Sequence, residues 1–234
     1  MLKILFNKVK NKLRKLLLGD KKISYSQAGE DLILNCIFSS VKKGFYIDVG
    51  ANHPTKSSNT YFFYKKGWTG INIDALPDAI KMFQKKRKKD INIEAGVSDL
   101  ESILNFYSFK ESSYNTFNEE LVDEIKKVSP LIDVRKIAVK PLSLILNKLN
   151  IKSINFMSID VEGLDINVLK SNDWEKYRPK VLLVEDFNHG VDIIQSPIYQ
   201  YMHTLGYIYF CQTCTNVFYI EKDFHAQRFV HSNK

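Results

Sequence analysis

Short apolar runs that each end in an acidic residue recur along this chain, and they restrict its fold more than any other feature. Three of these runs end at Asp48, Asp74 and Asp99, at intervals of 26 and 25 residues. Such an interval is long enough for a strand and for the helix that returns the chain to the start of the next parallel strand. Strands that alternate with helices predict a parallel sheet that is covered on both faces. The carboxyl ends of the strands would then bring the three acids to one edge.

Two later runs extend this pattern. The sequence "INFMSIDVEG" predicts a buried strand that ends at Asp160 and Glu162, and "PKVLLVEDFN" predicts one that ends at Glu185 and Asp186. A helical segment follows, and then a hairpin made of "YIYFCQ" and "NVFYIEK". The segment 110–135 shows no clear period. We therefore predict an α/β fold whose functional site lies at the acidic edge of the sheet.

The basic residues are concentrated at the amino terminus. The chain of 234 residues has a formal net charge of +8, and residues 1–22 alone carry +7. The sequence "MLKILFNKVKNKLRKLLLGD" predicts an amphipathic helix that lysines interrupt too often for a membrane span or a signal peptide. Because the remainder of the chain is nearly neutral, we expect no nucleic-acid partner.

This basic leader has two interpretations. Residues 2–18 would lie on an anionic membrane surface, or they would pack against the body of the chain or against a second copy. We divide the chain into this helix, residues 1–22, and a single domain, residues 23–234. Nothing in the sequence indicates export, so we expect a cytoplasmic protein, held at the inner face of the membrane if the leader binds lipid.

The turn after the first predicted strand indicates the kind of ligand. In "GFYIDVGANHPTKSSNT" only Gly50 is present, whereas the dinucleotide pattern G-x-G-x-x-G requires more glycines, and Asp48 would repel a pyrophosphate. Carboxylates suit hydroxyls and amines instead. Asp74 would accept the hydroxyls of a ribose, Asp99 an adenine amine, and the turn around Gly50 a cationic amino-acid group. S-adenosylmethionine has all of these features.

Six segments of the chain resemble the FkbM family of S-adenosylmethionine-dependent methyltransferases. They are "YSQAGEDLIL", "GFYIDVGANHPTKSSNT", "GWTGINIDALPD", "AGVSD", "INFMSIDVEGLDINVL" and "RPKVLLVED", in this order, between Tyr25 and Asp186. The resemblance implies the class I methyltransferase fold, a Rossmann-like sheet of seven mostly parallel strands with helices on both faces and an antiparallel last strand. It also implies O-methylation, often of sugars or polyketide-like hydroxyls.

The resemblance implies a cofactor site built from several segments of the chain. Its residues would be Gln27, Glu30, Asp48, Gly50, Asn52, Ser58, Asn59, Asp74, Ser98 and Asp99. The turn residues Asp48, Gly50 and Asn52 would hold the methionine portion, with help from the entry to the following helix. Asp74 would hold the ribose and the pair at 98–99 the adenine, while Gln27 and Glu30 would reach the amino-acid end or close the pocket.

The acids at the later strand ends suggest a metal. Asp160, Glu185 and Asp186 would lie on neighbouring strand ends, an arrangement similar to the divalent-metal site of catechol and some sugar O-methyltransferases. Oxygen ligands of this kind suit Mg²⁺, which would lower the pKa of an acceptor hydroxyl. The alternative is that Asp160 or Glu162 only caps the helix that follows.

The same region offers groups that could take the proton of an acceptor hydroxyl. The candidates are Asp160 and Glu162 at the fourth predicted strand, His189 in "EDFNHG" as the leading base, and His53 in the cofactor turn as the reserve. Methyl transfer requires the acceptor oxygen to become a better nucleophile, so one of these groups or the metal would have to act on it.

The acceptor is expected to be a sugar, in a surface glycan or in its nucleotide- or lipid-linked precursor. Residues 105–140 resemble the family least and would shape the acceptor pocket, because substrate-reading segments tend to be loops on a rigid scaffold. Its aromatic residues Phe106, Tyr107, Phe109, Tyr114 and Phe117 would stack on a sugar face or pack the sheet edge. The alternatives are an NAD-dependent sugar oxidoreductase or epimerase, and a non-catalytic scaffold at the membrane.

Overall fold

The main element of the protein is a seven-stranded sheet with the order β3-β2-β1-β7-β8-β10-β9. The structure, a computed structural model, describes residues 22–186 and 190–230. The strands of this sheet are β1 (Phe45–Val49), β2 (Thr69–Asp74), β3 (Ile91–Glu94), β7 (Ile154–Ile159), β8 (Pro179–Glu185), β9 (Tyr207–Gln212) and β10 (Asn216–Glu221). Only β10 runs in the direction opposite to the other six strands. The chain order reverses between β1 and β7, which makes this a topological switch point.

Helices cover both faces of the sheet. Among the described residues the α-helices are α1 (Glu30–Ile37), α2 (Tyr61–Lys65), α3 (Pro77–Lys86), α4 (Val122–Ile125), α5 (Leu142–Leu146), α6 (Asp165–Lys170), α7 (Pro197–Thr204) and α8 (Lys222–His225). Successive strand residues point to opposite faces. Ile47 therefore packs in a core with α5, α6 and α7, whereas Tyr46 packs in a second core with α1 and α2.

A smaller, three-stranded sheet that the sequence did not predict lies beside the main one. It consists of β4 (Gly96–Val97), β5 (Ser102–Phe109) and β6 (Leu131–Lys140), in the order β4-β6-β5. The expectation that the third strand ends near Asp99 is wrong, because the strand in the main sheet ends at Glu94 and the chain then enters the small sheet. Short helical turns at Ser112–Tyr114 and Glu119–Leu121 join β5 to α4.

The predicted class I methyltransferase fold is confirmed. The sheet has seven strands, the terminal hairpin supplies β9 and β10, and the last strand is the antiparallel one. No helix within residues 22–186 and 190–230 combines the length and apolar character that a membrane span needs. The predicted leader helix lies outside the described residues, so its role and the division of the chain at residue 22 stay predictions.

Candidate functional site

A cavity of about 720 Å³ opens at the carboxyl ends of β1, β2, β7 and β8. This volume is in the usual range for a site that binds a cofactor and a small substrate. The strand ends supply its floor, and the turn at Ser112–Tyr114 of the small sheet contributes to its lining. The cavity therefore lies where the predicted acidic edge was expected.

The turn after β1 requires a glycine at position 50. Gly50 has φ 77°, a left-handed conformation that favours glycine. A Cβ atom at this position would stand 1.7 Å from the carbonyl oxygen of Asp160. The ends of β1 and β7 approach each other this closely because Asp160 N donates to Val49 O at 3.0 Å. One glycine thus brings the first turn and the acid of the neighbouring strand together.

Two of the predicted cofactor acids lie in the cavity wall. Asp48 accepts a hydrogen bond from Thr60 Oγ1 at 2.7 Å. Burial raises the pKa of Asp48 to about 6, although the bond from Thr60 and the charge of Arg87 act in the opposite direction. Asp74 accepts from the backbone N–H groups of Asn52 and Leu76, both at 2.8 Å. Burial also raises the pKa of Asp74.

Other predicted cofactor residues line the same cavity. Gln27, Asn52, Ser58 and Asn59 all contribute to its wall. Asn59 Nδ2 donates to Ser158 Oγ at 3.0 Å, so the entry to α2 is tied to β7. The Ser58 hydroxyl accepts a hydrogen bond from the N–H of Tyr61, the first residue of α2, at 3.2 Å.

The structure does not bring three of the predicted cofactor residues into the cavity lining. Glu30 is fully buried and accepts from Thr213 Oγ1 at 2.6 Å, which joins α1 to the loop before β10. Ser98 and Asp99 lie beyond the wall, which Ala95 and the start of β4 complete. Asp99 is exposed and accepts from Ser98 Oγ at 3.1 Å. The reason is that the chain leaves the main sheet at Glu94, before reaching this pair.

Three acids gather on the other side of the Gly50 turn. Oxygen atoms of Asp160, Glu162 and Glu185 all lie within 4.8 Å of one another. Burial is the main cause that raises their pKa values, to about 6 for Asp160, about 8 for Glu162 and about 10 for Glu185, and repulsion between neighbouring acids adds to it. Without a cation Glu162 and Glu185 therefore hold protons at neutral pH, whereas Asp160 is largely ionised.

One oxygen of this trio lacks a partner. Glu185 is 8 % exposed, and its Oε2 makes no hydrogen bond to any residue in the described part of the chain. A buried polar atom that is left unpaired costs free energy, so such atoms are rare in folded proteins. The position of this oxygen in the cavity wall indicates that the site is built for a ligand that the atom can bind.

The backbone around Glu162 is held in an unusual conformation. Glu162 has φ 54°, and Gly163 follows with φ 99°. Thr116 Oγ1 donates to the carbonyl oxygen of Glu162 at 2.6 Å, and Asp165 accepts from the N–H groups of Val161 and Gly163. The small sheet and the first turn of α6 therefore fix this loop together.

The prediction that Asp186 belongs to the metal site is wrong. Its side chain accepts from Ser196 Oγ, the residue that caps α7, and it does not line the cavity. Glu185 is the last residue of β8, and Asp186, which follows it, binds at the start of α7 instead of in the cavity wall. Glu162 takes the third position beside Asp160 instead.

The structure does not support His53 as a base, although the residue lines the cavity. Its Nδ1 accepts from the backbone N–H groups of Thr55 and Lys56 at 3.1 and 3.0 Å. Burial and then the charge of Lys56 lower the pKa of this imidazole. A neutral ring whose Nδ1 accepts carries its proton on Nε2, so it can donate but has no lone pair left for a substrate proton. His189, the leading candidate, lies outside the described residues.

The predicted acceptor segment contributes to the cavity through part of its aromatic set. Phe106, Tyr114 and Phe117 line it. Tyr107 and Phe109 are buried in the core of the small sheet and do not reach the site. Packing of the sheet is therefore confirmed for Tyr107 and Phe109, whereas stacking of the cavity rings on a sugar stays a prediction.

Several site residues had no recognisable sequence signal. Glu111, Ser112, Asn115 and Thr215 line the cavity, but the first three lie in the segment without period and the last in the tip of a hairpin. The role of Asp165 could have been predicted from the sequence. It is an acid in the first turn of the helix after "VEGL", a position suited to bind free backbone N–H groups.

Two solved structures that are similar to the described fold are methyltransferases. A TehB-like SAM-dependent methyltransferase from Corynebacterium glutamicum has a TM-score of 0.43 and 9 % sequence identity, with 92 % of this chain and 97 % of that chain covered. An O-methyltransferase from Bacillus cereus in complex with SAH has a TM-score of 0.44 and 8 % identity, with 92 % and 89 % covered.

The family assignment depends on the sequence match. No curated protein is similar enough to this chain to count as a match. The family described as "Methyltransferase FkbM domain" matches residues 48–209, well over half of the chain, from the acid of the first turn to β9. This match decides against the oxidoreductase alternative. The chain therefore belongs to the FkbM family of S-adenosylmethionine-dependent methyltransferases.

Proposed function

We propose that this protein transfers a methyl group from S-adenosylmethionine to a hydroxyl of a sugar, in a surface glycan or in its nucleotide- or lipid-linked precursor. The observation that carries the proposal is the position of the acid trio Asp160, Glu162 and Glu185 in the wall that also contains the Gly50 turn. An acceptor hydroxyl needs a group that takes its proton or lowers its pKa beside the methyl donor.

The cavity residues fit the cofactor. Asp74 presents a carboxylate that two backbone N–H groups orient, which suits the two hydroxyls of a ribose. Asp48 and the turn at Gly50 offer negative charge and a close backbone approach to a cationic amino-acid end. When bound, the cofactor would supply a methyl group on a positively charged sulfur. The chain holds the donor and the acceptor in line, and most of the rate gain of such a displacement comes from position.

We propose further that the acid trio holds Mg²⁺. The three carboxylates, of which that of Glu185 has an unpartnered, buried oxygen, are ligands of the kind that this ion prefers. A bound divalent ion would lower the pKa of the acceptor hydroxyl. Asp160, on the loop beside Gly50, is ionised at neutral pH and is the member of the trio placed to take the released proton. Because Glu162 and Glu185 hold protons at neutral pH without a cation, we expect metal binding to release protons and to strengthen as the pH rises.

The acceptor would lie between the trio and the small sheet. The rings of Tyr114 and Phe117 and the polar groups of Ser112 and Asn115 line that part of the cavity. Aromatic faces and short polar side chains together suit the apolar and hydroxyl surfaces of a sugar. This composition supports a sugar acceptor, and it distinguishes the proposal from methylation of a purely apolar substrate.

Methyl transfer from labelled S-adenosylmethionine to a panel of free sugars, nucleotide sugars and glycans tests the proposed function. We expect incorporation into at least one sugar, at a position that resists mild alkali as an ether does. Glu185→Gln should reduce the rate by at least tenfold, whereas Glu175→Gln, the same change at an exposed residue outside the cavity lining, should not. Incorporation only into nitrogen or carbon atoms would contradict the proposal.

The metal is tested in the same assay by chelation. EDTA should abolish turnover, and Mg²⁺ should restore it. Full turnover in EDTA would remove the metal from the proposal and leave proton transfer to the acids alone.

The leader is tested separately with lipid vesicles. If residues 1–22 bring the enzyme to a lipid-linked acceptor, deletion of residues 1–20 should abolish binding to anionic vesicles and leave turnover of a water-soluble sugar unchanged. Unchanged vesicle binding would contradict the membrane interpretation.

A further inference from the structure

One arginine in the basic run after α3 is not on the surface. Arg87 is completely buried, although the lysines around it at positions 85–89 are exposed. Its guanidinium donates to Asp90 Oδ2 at 2.9 Å, to the Tyr46 hydroxyl at 2.7 Å and to the carbonyl oxygen of Pro54 at 3.0 Å. It also donates to Thr60 Oγ1 at 3.0 Å. A buried charge is costly unless it is paired and hydrogen-bonded in this way.

Aromatic rings enclose the same guanidinium. The carbon of the group lies 4.7 Å from the ring centre of Tyr64, and 5.5 to 5.8 Å from those of Tyr46, Phe83 and Tyr61. Rings at such distances attract a cation and exclude water from it. The planar group therefore has a fixed position, and a lysine could not make all of these contacts at once.

Two of the bonds from Arg87 lead directly to the cofactor turn. The hydroxyl of Thr60 accepts from Arg87 and donates to Asp48 Oδ2 at 2.7 Å, so the three residues form one chain of hydrogen bonds. The carbonyl of Pro54 belongs to the loop between the Gly50 turn and α2. Arg87 thus fixes both the carboxylate of Asp48 and the backbone that follows it.

We propose that Arg87 is a positioning residue for the cofactor, which acts through Thr60 on Asp48 and through Pro54 on the turn. This inference rests on the proposed cofactor site and adds a residue to it that has no contact with the cavity. The charge of Arg87 and its bond to Thr60 keep the Asp48 carboxylate directed at the cationic end of the ligand. The alternative is that the buried group only stabilises the fold.

Calorimetric titration of S-adenosylhomocysteine separates these two roles. Arg87→Lys keeps the charge but not the set of bonds, and we expect it to weaken binding by at least tenfold. Thr60→Val removes the hydroxyl at nearly constant volume and should weaken binding to a similar degree, whereas Thr60→Ser, which keeps the hydroxyl, should bind within about threefold of the wild type. Lys88→Met, at an exposed neighbour, is the matched control and should leave the affinity unchanged.

The decisive comparison repeats Arg87→Lys and Thr60→Val in a protein that also carries Asp48→Asn. If Arg87 and Thr60 act through the Asp48 carboxylate, their effect on affinity should largely disappear there, because the three residues form one coupled unit. Melting temperatures verify that each variant is folded. If Arg87→Lys does not fold, Thr60→Ala takes its place in the comparison. An undiminished loss in the Asp48→Asn background, or wild-type affinity in folded Arg87→Lys and Thr60→Val, would overturn the inference while the proposed function stands. A wild-type protein that does not bind the ligand would overturn both.

Discussion

At the scale of single residues, the two acids that the sequence assigned to the nucleoside have different surroundings. Asp74 is in the cavity wall with both carboxylate oxygens on backbone N–H groups, whereas Asp99 is exposed outside it. Asp74→Asn should therefore weaken binding of S-adenosylhomocysteine by roughly 10- to 100-fold, which corresponds to a charge-assisted bond of about 1.5–3 kcal/mol. Calorimetry measures this directly.

Asp99→Asn is the matched control for that experiment. It removes an equivalent charge from the strand-end series, and the structure leads us to expect less than about a twofold change in affinity. An equal loss in both variants would mean that Asp99 does reach the adenine and that our description of the cavity wall is wrong.

Gly50 and Gly67 form a second pair at this scale. Both have positive φ, 77° and 92°, but an added Cβ would meet Asp160 O at 1.7 Å in the first case and open space in the second. Gly67→Ala should cost only the backbone penalty of about 1–2 kcal/mol. Gly50→Ala must in addition push the ends of β1 and β7 apart, and we expect it to reduce the free energy of unfolding by more than about 3 kcal/mol.

Denaturant melts of these two glycine variants measure the difference. Equal destabilisation would show that backbone conformation alone explains the glycine at position 50, and that the close approach of the two strands does not contribute.

At the scale of elements, the sequence predicted those strands whose pattern is visible within a few consecutive residues. The strands β1, β2, β7 and β8 are apolar runs that end at or next to an acid, and parallel strands must bring those ends together. This is why Asp48, Asp74 and Asp160 were predicted correctly as neighbours of one cavity. The match of the FkbM family to residues 48–209 covers the same elements.

The remaining parts depend on contacts between segments that are distant in sequence. The small sheet pairs β5 with β6 across the segment 110–135, and no periodicity revealed it. Arg87 lies in a run of lysines, and nothing in that run shows which side chain turns inward. Asp186 directly follows Glu185, and nothing local shows that it binds Ser196 while Glu185 lines the cavity. These features could be seen only in the folded chain.

A substitution in the turn at Ser112–Tyr114 tests whether the small sheet contributes to the acceptor side of the cavity. If it forms the acceptor side, Tyr114→Ala should raise the KM for the sugar by about fivefold or more and leave the affinity for S-adenosylhomocysteine unchanged. Ile103→Ala, an exposed position on the same sheet outside the cavity, should change neither value. A loss of cofactor affinity in the Tyr114 variant would place this turn at the cofactor instead.

At the scale of the whole molecule, the buried acids should make stability depend on pH. Burial raises the pKa values of Asp48, Asp160, Asp165, Glu162 and Glu185 to between about 6 and about 10. An acid whose pKa is higher in the folded state binds more protons there than in the unfolded chain. The free energy of unfolding of the metal-free protein should therefore fall as the pH rises from about 5 to about 8.

Glu185→Gln isolates the contribution of one acid to this pH dependence of the free energy of unfolding. The neutral side chain needs no proton, so the variant should be more stable than the wild type at pH 8 by on the order of 1–2 kcal/mol, with a smaller difference at pH 5. Urea melts in EDTA at the two values of pH measure it. A variant that is less stable than the wild type at pH 8 would mean that Glu185 is ionised and paired in the folded protein.

The central claim is that one acid-lined cavity, at the carboxyl ends of β1, β2, β7 and β8, receives the methyl donor. A crystal structure with S-adenosylhomocysteine tests it most directly. We predict that the ligand contacts the Gly50 turn and Asp74, with its sulfur toward Asp160, Glu162 and Glu185. Ligand density elsewhere on the molecule, or with the sulfur away from the three acids, would contradict the account.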